Sequence, residues 1–292
     1  MIQKIQPTVF YKGLHFGECL RFRGNALWLS DMQGFNVLKF TTEAQATSVL
    51  RLQHEPSGLG WLPGGDLLVV SMPDAKVLRW NGHQTDVYAD LGPLSRSPCN
   101  DMLVDKEGRC YVGNFGFDYH AGESFDAGVL MLIDANGVPS IIAENLLFPN
   151  GMAEYPDGKT LLVAESGNNV DPPIGQGAKL TAFDKLSDGT LMNRRTWSTV
   201  PDACLPDGIC LDVDGGVWIA SPTTKQCLRV KEGGEITHIV EHEQIPVSCA
   251  LGGRTLYTAT CDVPDPEFCR NNPIGCITVN PAPSPGITDP GI

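Results

Sequence analysis

A turn-and-strand pattern recurs six times along the chain, and this repetition restricts the possible folds more than any other sequence feature. Each copy begins with a turn that contains glycine, continues into three to five apolar or aromatic residues, and is followed by a second short apolar run. One anchor residue marks each copy: Trp28, Leu68, Tyr111, Leu162, Trp218 and Tyr257. Neighbouring anchors lie 39 to 56 residues apart.

The runs are short, rich in β-branched and aromatic residues and bounded by Gly, Asp and Asn, so they are typical of strands. Six units of about 45 residues, each long enough for four strands, predict an all-β fold, a six-bladed β-propeller. The alternative, a β-sandwich with chance internal similarity, would need about twice the usual number of strands. We expect Thr8–Tyr11 to pair with Cys276–Val279 in the last blade and so to close the ring.

The end of the chain is predicted to be irregular. We expect residues 1–292 to form a single propeller domain with an irregular tail over residues 280–292. Pro281, Pro283 and Pro285 fall within five residues, and proline lacks the backbone donor that a central strand needs. We therefore expect deletion of residues 284–292 to change the melting temperature little.

Charge and composition exclude several classes of function. The formal net charge is −13, which argues against a nucleic-acid partner because phosphate binding needs clustered Lys and Arg. No run of about 18 apolar residues predicts a membrane span, and the first residues lack the apolar core of a signal peptide. Ten irregularly spaced cysteines then predict a cytoplasmic protein with free thiols.

A polar residue precedes every anchor by nine to twelve positions: Glu18, Ser57, Asn100, Asn150, Asp207 and Ser248. If the anchor lies on the second strand of its blade, this polar residue lies on the innermost strand, which lines the central channel. Radial symmetry then directs all six side chains at one axis. Carboxylate and amide oxygens favour Ca²⁺, whereas a zinc site would use His or Cys. The alternative is that the Asn150-Gly and Asp207-Gly pairs merely form turns.

Four motifs follow one another in a specific order. They are Gly17-Glu18 with Leu27-Trp28-Leu-Ser-Asp31, then Asn100-Asp101-Met-Leu-Val-Asp105, then Phe148-Pro-Asn150-Gly151-Met, and finally Pro206-Asp207-Gly208-Ile. In these motifs the chain resembles the SMP-30/gluconolactonase family, also called regucalcin-like proteins, over essentially its whole length. The resemblance implies a propeller that holds a divalent metal through Glu18, Asn150 and Asp207, with Asn100 contacting the substrate. Ca²⁺ is the first expectation, with Zn²⁺, Mn²⁺ and Mg²⁺ as alternatives.

The resemblance also implies an activity, because many members of the family hydrolyse lactones of sugars or other small acids. We expect a metal-dependent lactonase in which Asp207 helps to take a proton from water and Asn100 donates a hydrogen bond to the substrate or the developing oxyanion. His15 and His120 are other candidate bases. Two alternatives remain open: a metal-dependent isomerase or lyase acting on a carbonyl compound, and a non-catalytic calcium-binding propeller.

The substrate expected here differs from a sugar lactone. Members that act on sugar lactones often carry an Arg-x-Asn-Asp sequence, but Pro98 stands at the Arg position and the nearest arginine is Arg96. The loop that follows is rich in aromatic residues, and four of its side chains are candidate substrate-binding residues: Phe115, Phe117, Tyr119 and His120. They would form an apolar wall for a small apolar or aromatic substrate. The alternative is that these residues only pack the loop.

Overall fold

The computed structural model describes residues 3–118, 121–168 and 174–287, and it confirms the predicted six-bladed β-propeller. The described strands group into six sheets arranged in a ring, each with four or five strands. Every anchor residue lies on the second strand of its blade, as expected. Across the described ranges, no helix is both long and apolar enough to span a lipid bilayer.

The first two strands, β1 (Gln3–Ile5) and β2 (Thr8–Leu14), belong to blades that are completed near the end of the chain. Blade 1 contains β3 (Gly17–Arg23), β4 (Ala26–Asp31), β5 (Asn36–Phe40) and β6 (Ala46–Arg51), with a 3₁₀ helix at Met32–Gly34. Blade 2 contains β7 (Pro56–Trp61), β8 (Leu67–Ser71), β9 (Lys76–Trp80) and β10 (Thr85–Asp90). Blade 3 contains β11 (Cys99–Val104), β12 (Cys110–Asn114), β13 (Gly128–Ile133) and β14 (Pro139–Leu146).

The remaining blades complete the ring. Blade 4 contains β15 (Pro149–Glu154), β16 (Thr160–Glu165), β17 (Lys179–Lys185) and β18 (Leu191–Thr199). Blade 5 contains β19 (Ile209–Leu211), β20 (Val217–Ser221), β21 (Gln226–Val230) and β22 (Ile236–Glu241). Blade 6 contains β23 (Ile245–Gly252), β24 (Thr255–Cys261), the short helix α1 (Pro266–Asn271) and β25 (Gly275–Pro281).

The two ends of the chain close the ring together. β2 pairs antiparallel with β25, with Thr8 opposite Val279 and Tyr11 opposite Ile277, which confirms the predicted closure. One further pairing was not predicted: β1 adds to blade 5 as a fifth strand, parallel to β22. The N-terminal segment therefore spans two blades, and β1 covers three residues of β22, His238 to Val240, at the outer edge of blade 5.

Glycine allows the inner strands of neighbouring blades to approach closely around the channel. A Cβ atom would lie 2.4 Å from the Met102 nitrogen at Gly58 and 2.5 Å from the Ile209 nitrogen at Gly151. At Gly208 it would lie 2.7 Å from the nearest Ser248 atom. None of these three glycines has a positive φ. The interpretation as a simple turn is therefore wrong for Asn150-Gly151, which lies within β15, whereas Gly208 is a bend directly before β19 that also packs closely against blade 6.

The tail differs from the expectation. β25 extends to Pro281, so irregular structure begins two residues later than expected. The segment then docks against the propeller: the Ala282 nitrogen donates to the Arg254 carbonyl at 2.8 Å, and the Gly286 nitrogen donates to the Gly253 carbonyl at 2.9 Å. Ala282 and Ser284 are buried. The expectation that the tail can be removed without loss of stability therefore no longer follows.

Candidate active site

Four predicted site residues line a single pocket at one end of the channel: Glu18, Asn100, Asn150 and Asp207. Each comes from the inner strand, or the residues directly before it, of a different blade. Ser57 of blade 2 lines the same pocket. Ser248 is placed differently, because its hydroxyl accepts a hydrogen bond from the Leu20 nitrogen at 2.9 Å. The pocket has a volume of about 170 Å³, so it is small enough to enclose only a compact group.

The two asparagines are held by their amide nitrogens. Nδ2 of Asn100 donates to the Pro149 carbonyl at 3.2 Å. Nδ2 of Asn150 donates to the Ser166 hydroxyl at 3.3 Å, and that hydroxyl donates to the Pro206 carbonyl at 2.6 Å. These contacts, which Asn100 makes with the next blade and Asn150 makes within blade 4, leave the Oδ1 atoms as the acceptors that a ligand could use.

Burial and nearby negative charges raise the pKa of both carboxyl groups in the pocket. Burial raises the pKa of Glu18 well above its usual value, and the negative charge of Asp207 raises it further. Burial also raises the pKa of Asp207 to about 8; a hydrogen bond from Asn150 opposes this shift, and the charge of Asp101 adds to it. Two carboxylates that share a pocket favour either protonation or a bound cation.

The donor set fits a hard divalent cation. It combines two carboxylates with two amide oxygens, and oxygen ligands of this kind suit Ca²⁺ or Mg²⁺. In the described part of the chain, no three or more His, Cys, Asp or Glu side chains cluster closely enough to hold a metal ion. A centre here would therefore depend on the amide oxygens of asparagine in addition to Glu18 and Asp207, and a thiolate or imidazole site for Zn²⁺ is not favoured.

An apolar wall faces the polar residues. Phe115 and Phe148 both line the pocket, and their rings stack with centroids 4.6 Å apart and planes 13° apart. Phe117 lies behind this wall, because it is buried against Phe125 and Phe148 and does not line the pocket. The other apolar lining residues are Phe16, Met32, Met72, Leu205, Pro264 and Pro266.

Three further candidates are Tyr119, His120 and His15. Tyr119 and His120, which were predicted to bind substrate, are outside the described residues. His15 does not line the pocket; its Nδ1 lies 3.1 Å from Oδ2 of Asp31. His15, one of the two histidines considered as alternative bases, is therefore placed against a carboxylate in blade 1 and outside the pocket lining.

Sequence reasoning missed a cap over the pocket, which is formed by the connection between β24 and β25. Pro264 and Pro266 of this connection line the pocket. Helix α1 begins with Asp265 as N-cap, whose side chain accepts a hydrogen bond from the Phe268 nitrogen at 2.6 Å. Arg270 then binds Oε1 of Gln33 across the pocket mouth, with its Nε at 2.7 Å. The Asp265-Pro266 pair is a helix-start signal, but it is not part of the repeated strand pattern, so the repeat does not reveal it.

Comparison with known proteins agrees with this architecture. The family model described as SMP-30/Gluconolactonase/LRE-like region matches residues 16–261. Regucalcin of Gallus gallus is 23% identical over 263 residues, which cover 85% of this chain and 84% of the relative. The 6-deoxy-6-sulfogluconolactonase of Pseudomonas putida is 24% identical in an alignment 309 positions long, which covers 98% of this chain and 95% of the relative.

A solved structure shows the same fold. The calcium-binding protein regucalcin from Agrobacterium tumefaciens superposes with a TM-score of 0.78 at 17% identity, and the match covers 99% of each chain. The structural match extends around the whole propeller, and the family model covers all the inner strands that carry the site residues. The chain therefore belongs to the SMP-30/gluconolactonase family, as its four motifs predicted.

Proposed function

We propose that this protein is a metal-dependent lactonase that opens the ester ring of a small apolar or aromatic lactone. The observation that carries the proposal is the convergence of Glu18, Asn100, Asn150 and Asp207 in one pocket with an apolar wall. Membership of a family that includes gluconolactonases supports the reaction class. A plain scaffold has no need to bury two carboxyl groups in the same cavity, since the arrangement is costly without a ligand.

Glu18, Asn150 and Asp207 would hold the cation, for which Ca²⁺ is the first choice because all the donors are oxygens. When bound, such a cation polarises a carbonyl oxygen and lowers the pKa of nearby water. Members of the family named as calcium-binding support this choice. Zn²⁺, Mn²⁺ and Mg²⁺ remain candidates for the same donors.

The chain's own residues perform the remaining steps. Asp207 accepts the proton of the attacking water, and the hydrogen bond from Asn150 fixes the orientation of its carboxylate. One amide proton of Asn100 is used by the Pro149 carbonyl. The second is available to donate to the substrate or to the oxyanion that forms when water adds to the lactone carbonyl. The C–O bond of the ring then breaks, and the proton taken by Asp207 passes to the ring oxygen.

The wall made by Phe115 and Phe148 selects the substrate. Stacked rings provide an apolar surface against which an alkyl or aryl group of the lactone packs. Pro98, at the position where sugar lactonases often carry arginine, supplies no donor for sugar hydroxyls. Both features favour a substrate with fewer hydroxyl groups than gluconolactone. All ten cysteines are free thiols, which supports a cytoplasmic site of action.

A lactone panel tests the proposal. The protein is stripped with a chelator, and hydrolysis of gluconolactone, an alkyl lactone and an aryl lactone is measured after addition of Ca²⁺, Zn²⁺, Mn²⁺ or Mg²⁺. We expect no turnover in the stripped protein, recovery with Ca²⁺, and preference for the alkyl or aryl lactone. Strong preference for gluconolactone would refute the substrate assignment. Metal binding without turnover of any lactone would favour the isomerase, lyase or non-catalytic alternatives.

A further inference from the structure

A second cavity lies at the other end of the channel from the candidate active site. It has a volume of about 150 Å³. Its lining comes from positions further along the inner strands of all six blades, and it includes Cys210 of β19. Among the described residues, none lines both this cavity and the active-site pocket. The two ends of the channel therefore present different chemical groups, and a thiol is one of those at the second end.

Cys210 is the most accessible cysteine of the chain. All ten cysteines lie within the described residues; nine of them are buried, whereas Cys210 is partly exposed. The cavity that it lines has room for several molecules of the size of water, each of which occupies about 30 Å³ in the liquid. A small polar oxidant such as a hydroperoxide therefore has access to Cys210.

A second thiol lies beside Cys210 on the neighbouring blade. Sγ of Cys210 lies 3.8 Å from Sγ of Cys249, which belongs to β23 of blade 6. Cys249 is only 1% exposed. Burial raises the pKa of the Cys249 thiol well above its usual value, so this group stays protonated. Cys210 is therefore the thiol that meets an oxidant first, and Cys249 is placed to react second.

The backbone holds the two strands close enough for a covalent link. The Gly208 nitrogen donates to the Val247 carbonyl at 2.9 Å, and Cys210 and Cys249 each stand two residues further along. A Cβ atom at Gly208 would lie 2.7 Å from the nearest Ser248 atom, so the strands are in direct contact here. A disulfide needs sulfur atoms about 2.05 Å apart. The two sulfur atoms must therefore approach by about 1.8 Å, a movement that side-chain rotation supplies without separating the strands.

We propose that Cys210 and Cys249 are an oxidation site, at which a hydroperoxide converts the two thiols into a disulfide that joins the inner strands of blades 5 and 6. The site is separate from the active-site pocket and does not depend on the proposed lactonase activity. A partly exposed cysteine next to a resolving cysteine is the arrangement found in redox-sensitive thiols. In reducing surroundings the bond is reversible, because glutathione and thioredoxin return it to the dithiol.

The reaction has two steps. The Cys210 sulfur attacks one oxygen of the hydroperoxide and the O–O bond breaks; the thiol proton passes to the departing alkoxide or hydroxide, which gives a sulfenic acid and an alcohol or water. The Cys249 sulfur then attacks the Cys210 sulfur, the S–S bond forms and the S–O bond breaks. The departing hydroxide takes the Cys249 proton and leaves as water. The two thiols lose two electrons in total, and the peroxide receives them.

Peptide mapping of the full chain tests the proposal without any activity assay. Fully reduced protein is exposed to hydrogen peroxide, its remaining thiols are alkylated, and a non-reduced digest is analysed by mass spectrometry. Trypsin and Asp-N together release Cys210 and Cys249 on peptides that contain no other cysteine, because cleavage before Asp207 separates Cys210 from Cys204. We expect two of the ten thiols to be lost and one peptide that joins Cys210 to Cys249. Dithiothreitol should reverse both changes.

Three variants assign the roles of the thiols. Cys249→Ser should form no cross-link and should accumulate a sulfenic acid at Cys210, which dimedone traps. Cys210→Ser should leave Cys249 reduced. Cys227→Ser is the matched control, since Cys227 is buried in the same apolar cluster as Cys249; it should form the cross-link at the wild-type rate. Circular dichroism checks that each variant folds, and the wild-type map decides the question even where a variant does not.

Three results would each overturn the proposal. One is ten free thiols after peroxide treatment of wild type. Another is a disulfide that joins Cys249 to Cys227 in place of Cys210. The third is a sulfinic acid at Cys210 while Cys249 stays reduced, which would show that Cys249 does not resolve the sulfenic acid. The same treatment in urea should give scattered pairs, and selective pairing of Cys210 with Cys249 there would show that the fold does not direct it.

Discussion

Glu18 and Asp207 enter one pocket from blades 1 and 5, and the negative charge of Asp207 raises the pKa of Glu18. The two residues are far apart in sequence and meet only because the ring is closed. Their repulsion makes the cation-free pocket unfavourable at neutral pH. Protons and a divalent cation therefore compete for the same oxygen atoms, which has measurable consequences for affinity and for stability.

Replacement of Asp207 by alanine removes one ligand and one negative charge. We expect metal affinity to fall at least about tenfold, the rough scale of disrupting even an outer-shell partner. Folding should survive, because the blades bury their core without the ion. Calorimetric metal titration checks this, with Asp86→Ala as the control at an exposed site on β10. Equal affinities for Asp207→Ala and wild type would remove the basis of the functional proposal.

The metal-free protein should lose stability as pH rises. Asp207 has a pKa of about 8 in the folded state and about 3.9 when unfolded, so the folded state binds the proton more tightly. Its contribution to stability is fully present below about pH 4 and is lost as pH rises toward 8. We expect the melting temperature to fall between pH 5 and 8. The fall should be smaller in Asp207→Asn, and Ca²⁺ should raise the melting temperature more at pH 8 than at pH 5.

Scanning calorimetry with and without a chelator measures these differences. The comparison of wild type with Asp207→Asn isolates this carboxyl group from the histidines and other groups that titrate in the same range. A parallel pH dependence in the two proteins would show that Asp207 does not carry the effect.

The apolar wall gives a prediction about specificity. Phe115→Leu removes the ring that stacks on Phe148 while keeping an apolar side chain. We expect kcat/KM for an aryl lactone to fall about two- to tenfold, since an aromatic pair contributes about 0.5–1.5 kcal/mol beyond area burial, with less effect on gluconolactone. Phe10→Leu, at an aromatic contact with Tyr257 and Phe40 in blade 6 and blade 1, is the control. Equal losses on both lactones would contradict a selective wall.

The sequence predicted those features that repeat. Six copies of one strand pattern established the blade count, and the equivalent position before each anchor identified Glu18, Asn100, Asn150 and Asp207 as neighbours. Features that occur once could not be found in this way. The cap at Pro264 and Pro266, the parallel pairing of β1 and the docked tail belong to single connections or chain ends.

The sequence pattern also could not predict which side chains of a loop point into the pocket. Phe115 and Phe117 are two residues apart in an aromatic loop, and composition does not distinguish them. The backbone places Phe115 in the pocket and buries Phe117 beneath it, against Phe125. The contact of Arg21 with Asp101, in which Nη2 of Arg21 donates to Oδ1 of Asp101 at 2.7 Å, was missed for a related reason, because a bulge in β3 breaks the alternation from which side-chain direction is inferred.

The docked tail changes the expected effect of a C-terminal deletion on the melting temperature. Deletion of residues 284–292 removes the bonds of Gly286 and Ile287 to Gly253 and Leu211 and the buried Ser284 side chain. We expect the melting temperature to fall by several degrees, about 2–4 °C for each kcal/mol lost. Deletion of 288–292 provides the baseline for comparison. An unchanged melting temperature in the longer deletion would show that the docking contributes nothing to stability.

Because β2 pairs with β25, the first strand of blade 6 to be synthesised has no partner until the last strand of that blade is made. During synthesis, blade 6 remains incomplete until Gly275–Pro281 has emerged from the ribosome, so the ring cannot close before that segment is made. A product that terminates before this segment keeps β2 and β24 with unpaired edges. Such edges recruit strands from other chains, and premature termination in the final blade should therefore yield aggregates rather than a smaller folded protein.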